Sequence, residues 1–153
     1  MMRVAVLSDT HNLLRPSALD FIRGADHILH AGDLCSPAIL AQLAAIAPLT
    51  AVRGNNDLGT WAQALRTTEI VRLGEVFVGM VHDLEDLDVD PAGAGLQVVV
   101  SGHSHRPLVE QRGGVCFLNP GSAGPRRFRL PIAVAELTIV GASVSARVVE
   151  IGE

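Results

Sequence analysis

Apolar and polar positions fall into two regimes along the chain. In the first third, short unbroken apolar runs stop abruptly at polar clusters. Arg3-Val4-Ala5-Val6-Leu7 ends at Ser8-Asp9-Thr10-His11, His27-Ile28-Leu29-His30 ends at Ala31-Gly32-Asp33, and Leu49 to Val52 ends at Arg53-Gly54-Asn55-Asn56-Asp57. Runs of this length and composition read as strands buried on both faces. Pro16 to Arg23, stopped by Gly24, predicts a helix between the first two strands. Ser36-Pro37 opens a second helix that should run to about Ala47, where Pro48 ends it. The order β-α-β-α-β predicts a parallel sheet with helices packed on it.

The pattern then changes. Ile70 to Leu73 and Val76 to Val81 flank Gly74-Glu75, Pro107 to Gln111 and Val115 to Leu118 flank Arg112-Gly113-Gly114, and Ile132 to Thr138 and Ser143 to Ile151 flank Gly141. Each pair predicts a hairpin. Gln97 to Val100 is a further short apolar run. The second half is therefore expected to be strand-rich and largely antiparallel. Without an internal repeat or a linker, one α/β domain spanning residues 1–153 with two stacked sheets is the economical reading.

Composition narrows this further. With 48% apolar residues and a mean hydropathy of +0.34, the chain is not of a disordered type. A net charge of −4 and a pI near 5.8 argue against a dedicated nucleic-acid binder. All 12 basic residues are arginine, which reads as coding bias rather than mechanism. Cys35 and Cys116 lie far apart in unlike contexts, which suggests free thiols in a reducing compartment. The N-terminal apolar run is too short for a signal peptide. The charge-free window Leu34 to Val52 contains two prolines and reads as a buried helix followed by a strand. A cytoplasmic protein with no membrane association is expected.

The polar residues that break the apolar runs are a chemically coherent set: Asp9, His11, Asp33, Asn55, His82, His103 and His105. Each follows an expected strand, and ligand sites of parallel α/β sheets lie beyond the carboxyl ends of strands. Four of the six histidines fall in this set. Asp and His two residues apart can reach one ion where a strand bends. A carboxylate can bridge two ions, and Asn adds a neutral oxygen. Imidazole suits Mn, Fe, Zn or Ni rather than Ca or Mg. Two ions about 3.5–4 Å apart can clamp a phosphoryl group and activate water. Singly, each element is an ordinary turn or strand-end residue; the ordered combination carries the reading. Outside the set, His30 reads as a packed neighbour of the site and His27 as a strand residue. Asp57 reads as the holder of the Asn55 loop, and Cys35 as core. The acidic stretch Asp83 to Asp90 reads as a solvated loop or short helix, with a substrate-repelling or metal-recruiting rim near His82 as the alternative.

Asp9-Thr10-His11, Gly32-Asp33, Gly54-Asn55-Asn56-Asp57, His82, Gly102-His103-Ser104-His105 and Asn119-Pro120-Gly121-Ser122 resemble the calcineurin-like metallophosphoesterases. The nearest branch looks like the small bacterial and archaeal phosphodiesterases called the YfcE/MJ0936 family. The resemblance implies a four-layer α/β/β/α sandwich of two mixed sheets with a dinuclear site at one end. Carried over, Asp9, His11 and His105 would hold the first metal. Asn55, His82 and His103 would hold the second, and Asp33 would bridge the two. A hydroxide bridging the two metal ions would be the nucleophile. Asp33, Asn55, His82 and His103 are thus the expected catalytic residues. The expected cofactors are two divalent ions, manganese first, with nickel, iron or zinc as alternatives. The expected partner is a small phosphate ester, a diester before a monoester. A homodimer or higher oligomer is compatible with the uncharged strand edges.

Two positions depart from the resemblance. Many larger relatives carry a histidine where Asn56 stands, so leaving-group protonation is open. Relatives usually carry glycine where Asp83 stands; Asp83 could orient His82 or merely start a turn. Asn56 and Arg126 are candidate substrate-binding residues, since arginine binds phosphate in a forked geometry. The rival reading is a non-catalytic metal-binding scaffold, because the family includes, as a distant branch, a retromer subunit that uses this fold for protein–protein interaction. Intact Asp33 and Asn55 speak against that branch.

Overall fold

The computed structural model describes residues 1–152 and forms two five-stranded mixed sheets flanked by helices. The first third folds as β1 (Met2–Leu7), α1 (Pro16–Ile22), β2 (His27–His30), α2 (Pro37–Ala44) and β3 (Leu49–Ala51). The hairpin β4 (Thr68–Leu73) and β5 (Val76–Val81) follows, then β6 (Val98–Val100). The hairpins β7 (Leu108–Arg112) with β8 (Val115–Asn119), and β9 (Ala133–Val140) with β10 (Ser143–Glu150), complete the chain. The first sheet runs β10-β9-β1-β2-β3 and the second β4-β5-β6-β8-β7.

The three hairpins form where the glycine turns predict them, with Leu73 opposite Val76, Arg112 opposite Val115 and Val140 opposite Ser143. The second half is largely antiparallel, as expected, with one exception that makes the second sheet mixed. In the second sheet β6 pairs parallel with both β5 and β8, so parallel pairs are as numerous as antiparallel ones. Hairpin turns are local and visible in sequence. The insertion of a three-residue strand between two hairpins is decided by long-range packing. The second helix also ends earlier than expected, at Ala44; the Ala45–Ala47 segment tightens onto the Leu43 carbonyl ahead of Pro48.

Both faces of β1 are buried, as its unbroken apolar run requires. Val4 and Val6 point between the sheets and meet Val78, Met80, Val98, Val100 and Leu118. Ala5 and Leu7 point the other way and meet Ile22 of α1 with Ile39 and Leu43 of α2. The outer face of the second sheet is covered more thinly, by the 3₁₀ turn Leu84–Asp86 and its flanks, where Leu84 and Leu87 pack on Leu96, Val99 and Phe117. Among the described residues, no helix is long and apolar enough to cross a membrane. The parallel strands β1, β2, β3, β5, β6 and β8 all deliver their carboxyl ends to one edge of the sandwich.

Candidate metal centre

The loops at that edge are tied to one another by main-chain hydrogen bonds. Asp9 N–H donates to the Gly32 carbonyl (3.0 Å), His11 N–H to the Asp33 carbonyl (3.0 Å) and Asn12 N–H to the Leu34 carbonyl (2.8 Å). Asp57 joins the third loop to the second. Its buried carboxylate accepts from the backbone N–H of Asp33 (2.9 Å), Gly54 (2.8 Å) and Cys35 (2.8 Å). The approach is so close that a Cβ on Gly54 would lie 2.2 Å from Asp33 Oδ1. A Cβ on Gly102 would lie 2.0 Å from Ser8 Oγ and 2.7 Å from Asp9 Oδ2, so glycine is required at both places.

Among the described residues, eight non-glycine residues adopt positive φ, and five of them are Asp9, His11, Asp33, His103 and His105. Left-handed backbone costs a side-chain-bearing residue roughly 1–2 kcal/mol. Such strain gathers where a side chain must be aimed at a fixed point.

The side chains converge. Asp9 is fully buried; its Oδ2 accepts from Ser8 Oγ (2.6 Å) and from the His103 N–H (3.1 Å). Asp9 Oδ1 lies 3.3 Å from His105 Nε2 and 3.8 Å from the Nε2 atoms of His11 and His82. Asp33 Oδ1 accepts from the Asn56 N–H (2.8 Å), and its Oδ2 accepts from Asn56 Nδ2 (3.0 Å). Asp33 Oδ2 also faces His82 Nε2 (3.3 Å) and His11 Nε2 (3.7 Å). Two clusters have ligand atoms mutually within 4.8 Å: Asp9, His11 and His105, and Asp9, Asp33 and His82. Among the described residues, the buried side-chain polar atoms without a hydrogen-bond partner are Asp9 Oδ1, His11 Nε2, His82 Nε2 and both ring nitrogens of His105. Buried polar groups are otherwise almost always paired. A set of such orphans gathered at one point, made of carboxylate oxygen and imidazole nitrogen, fits one or two divalent cations.

The electrostatics agree. Burial alone would raise the Asp33 carboxyl, yet its hydrogen bonds to His82 and Asn56 hold it well below the usual carboxylate range. Asp9 is likewise lowered despite its burial, by His105, Ser8 and His82. Burial disfavours charge on His82, but its contacts with Asp33 and Asp9 prevail and raise its pKa. A bound cation would take the place of that proton. His82 Nδ1 meets the Ala31 carbonyl at 2.7 Å and so carries a hydrogen, which turns Nε2 toward the carboxylates.

Asn55 and His103 sit at the outer side of the site, exposed, with Asn55 Oδ1 3.3 Å from His103 Nδ1. They do not belong to the two buried clusters. Arg126 lines a shallow cleft beside His11 and His105, together with Arg127. Asn56 packs on Asp33. His30 is buried, between the Gly32 N–H on Nδ1 (3.1 Å) and Thr10 Oγ1 on Nε2 (3.1 Å), and burial pushes its pKa down to about 4. Asp83 does not reach His82 in the way its sequence position suggests. Its Oδ1 accepts from the Glu85 N–H (3.1 Å) and its Oδ2 lies 3.7 Å from His103 Nε2. Cys35 is not simple core: its Sγ lies 3.5 Å from His11 Nδ1, and burial pushes the thiol up to about 11.

Residues 2–141 match the family described as the calcineurin-like phosphoesterase superfamily domain. The chain belongs to this superfamily. A curated relative, a probable metallophosphoesterase of Methanothermobacter thermautotrophicus, is 33% identical over 163 residues, covering 99% of this chain and 94% of the relative. Among solved structures, Vps29 of Chaetomium thermophilum has a TM-score of 0.80 at 20% identity, covering 97% of each chain. Vps29 of Entamoeba histolytica, complexed with zinc, has a TM-score of 0.72 at 26% identity, covering 97% of this chain and 99% of that one. The narrower YfcE/MJ0936 branch is not singled out. Phosphodiesterase MJ0936 of Methanocaldococcus jannaschii is 24% identical over 138 residues, 78% of this chain, and the structural likeness reaches Vps29 proteins strongly. This calcineurin-like scaffold is competent to bind metal through two Asp/His clusters.

Proposed function

We propose that this superfamily member is a dinuclear-metal phosphoesterase, acting on diesters before monoesters. The observation that carries the reading is the gathering of unpartnered carboxylate and imidazole atoms where six parallel strands end. Asp9, His11 and His105 would hold one ion. Asn55, His82 and His103 would hold the other, with Asp33 facing both. Manganese is the first candidate, then nickel, iron or zinc. Two such ions supply Lewis-acid stabilisation of phosphoryl oxygens and lower the pKa of water.

The chain's own groups set the rest. Asn56 N–H and Nδ2 orient both oxygens of Asp33. Arg126, at the rim beside His11 and His105, offers a forked donor to an anionic ester. Asn56 has no proton to give a departing alkoxide, which favours esters whose leaving group departs unprotonated.

A second reading has specific support: a non-catalytic, metal-bearing scaffold that binds a protein. The Vps29 structures share this chain's architecture over nearly its whole length, and one of them carries zinc, which supports this reading. Reconstitution separates the two. Metal-stripped protein given Mn, Ni, Mg or Zn is assayed on bis-p-nitrophenyl phosphate and p-nitrophenyl phosphate. An enzyme shows a metal-restored rate with the diester preferred, lost roughly 10²–10³-fold in Asp33→Ala, a loss of the size seen when one transition-state-stabilising group is removed. Full metal binding with no turnover on either ester leaves the scaffold.

A further inference from the structure

The relation between Asp83 and His103 is absorbed by neither cluster. His103 follows β6 and Asp83 follows β5, and the parallel pairing of these strands brings the two residues side by side. His103 makes two hydrogen bonds and one longer electrostatic approach. Its backbone N–H donates to Asp9 Oδ2 (3.1 Å), its Nδ1 faces Asn55 Oδ1 (3.3 Å), and its Nε2 faces Asp83 Oδ2 (3.7 Å). Asp83 is itself anchored, because its Oδ1 caps the 3₁₀ turn Leu84–Asp86 by accepting the Glu85 N–H. One oxygen is therefore spent on the backbone and the other is left toward the imidazole.

A neutral imidazole carries one hydrogen, and the carboxylate attracts it to Nε2. Nδ1 is then an acceptor aimed at a second acceptor, Asn55 Oδ1. With the ring hydrogen on Nδ1 the contact is a hydrogen bond donated to Asn55 Oδ1; with it on Nε2, toward the Asp83 carboxylate, Nδ1 and Asn55 Oδ1 become two acceptors that a cation can draw together. His82 shows the same logic with the nitrogens exchanged: its Nδ1 hydrogen is spent on the Ala31 carbonyl and its Nε2 is left for the buried clusters.

We propose that Asp83 is a positioning residue for the second ion. It fixes the His103 ring with its Nε2 hydrogen toward the Asp83 carboxylate and its Nδ1 lone pair beside Asn55 Oδ1, completing a pair of exposed ligands that the buried clusters lack. This rests on the two-metal reading above. Outer partners of metal-binding histidines set ring tautomer and orientation, and their loss typically lowers metal affinity about 10–100-fold.

The test uses Asp83→Asn, which keeps an oxygen to cap the turn and loses the charge, with His103→Ala as reference. Zinc titration of metal-stripped protein by calorimetry reads the two equivalents separately. Nitrogen-15 shifts of His103 in the metal-free chain read its tautomer. The expected result in Asp83→Asn is an unchanged first equivalent, a second equivalent weakened roughly 10–100-fold, and a His103 ring shifted toward the Nδ1–H form. If His103→Ala weakens the second equivalent but Asp83→Asn changes neither affinity nor tautomer, the role of Asp83 is overturned and the two-metal reading survives. If neither variant changes the second equivalent, His103 is no ligand and both fall.

Discussion

The two ends of the sandwich solve one backbone problem in opposite ways. At the end away from the site, the three hairpins turn through Gly74, Gly113 with Gly114, and Gly141, all at positive φ. Glycine takes that conformation without a steric penalty. At the site end Gly32 and Gly121 are left-handed too, but so are Asp9, His11, Asp33, His103 and His105, which carry side chains. A glycine at any of these five would relax the backbone and remove the ligand. The hairpin end is built for turning. The site end accepts strain in the metal-free chain, along with buried unpaired polar atoms, because the side chains must meet at one point.

The contrast can be broken by substitution. The largest effect is expected from Gly54→Ala, where the new methyl collides with Asp33 Oδ1 and with Asp33 N at 2.4 Å. Nothing flexible can give way there, since Asp57 clamps both backbones. A loss of about 3 kcal/mol, at the upper end for overpacking, is expected in urea denaturation, together with loss of zinc binding. Unchanged stability and metal affinity would show that the loops are not as tightly coupled as their hydrogen bonds indicate.

Next is acid sensitivity. His30 is neutral in the fold with a pKa near 4, against 6.5 when unfolded, so the unfolded chain binds a proton that the folded chain refuses. Stability should therefore be whole above pH 6.5, decline as pH falls below it, and level off for this group near pH 4. Its total is on the order of 3 kcal/mol. His30→Gln should flatten the decline in that interval relative to its own stability at pH 7, measured on metal-free protein. Carboxylates such as Asp33, held low, lose their contribution only below the ordinary carboxylate pKa of 3.8.

The smallest effect belongs to the hairpin end. A Cβ on Gly113 meets nothing within 4 Å, so Gly113→Ala carries only the left-handed penalty of roughly 1 kcal/mol. Zinc affinity should be unaltered. A change in metal binding from this distant turn would mean that the two ends are coupled through the sheets.

How far the site could be read in advance follows from its geometry. The strand-end positions of Asp9, His11, Asp33, His82 and His105 were legible, because an apolar run that stops at a polar cluster marks the carboxyl end of a strand. The holding role of Asp57 was legible as well, though its reach to the Asp33 and Cys35 backbones was not. Of the two readings open for Asp83, the turn-starting one holds, and its approach to His103 rather than His82 has a physical reason. Neighbours along extended backbone point to opposite sides, so the residue after His82 turns away from His82 and toward the next strand's loop. Cys35, with no second thiol nearby in sequence, gave no sign of its contact with His11, which depends on the two loops crossing.

The sequence by itself determined the strands, the hairpin turns and the types of ligand atom available, since periodicity, glycine turns and side-chain chemistry are local properties. Only the tertiary structure decided that a three-residue strand lies parallel between two hairpins, that Asp9 serves both buried clusters, and that His103 pairs with Asp83. These depend on which loops meet at the end of the sheets. That is settled by burial of Val4, Val6, Val78, Met80, Val98 and Val100 between the two layers, a cooperative outcome that no single stretch of chain encodes.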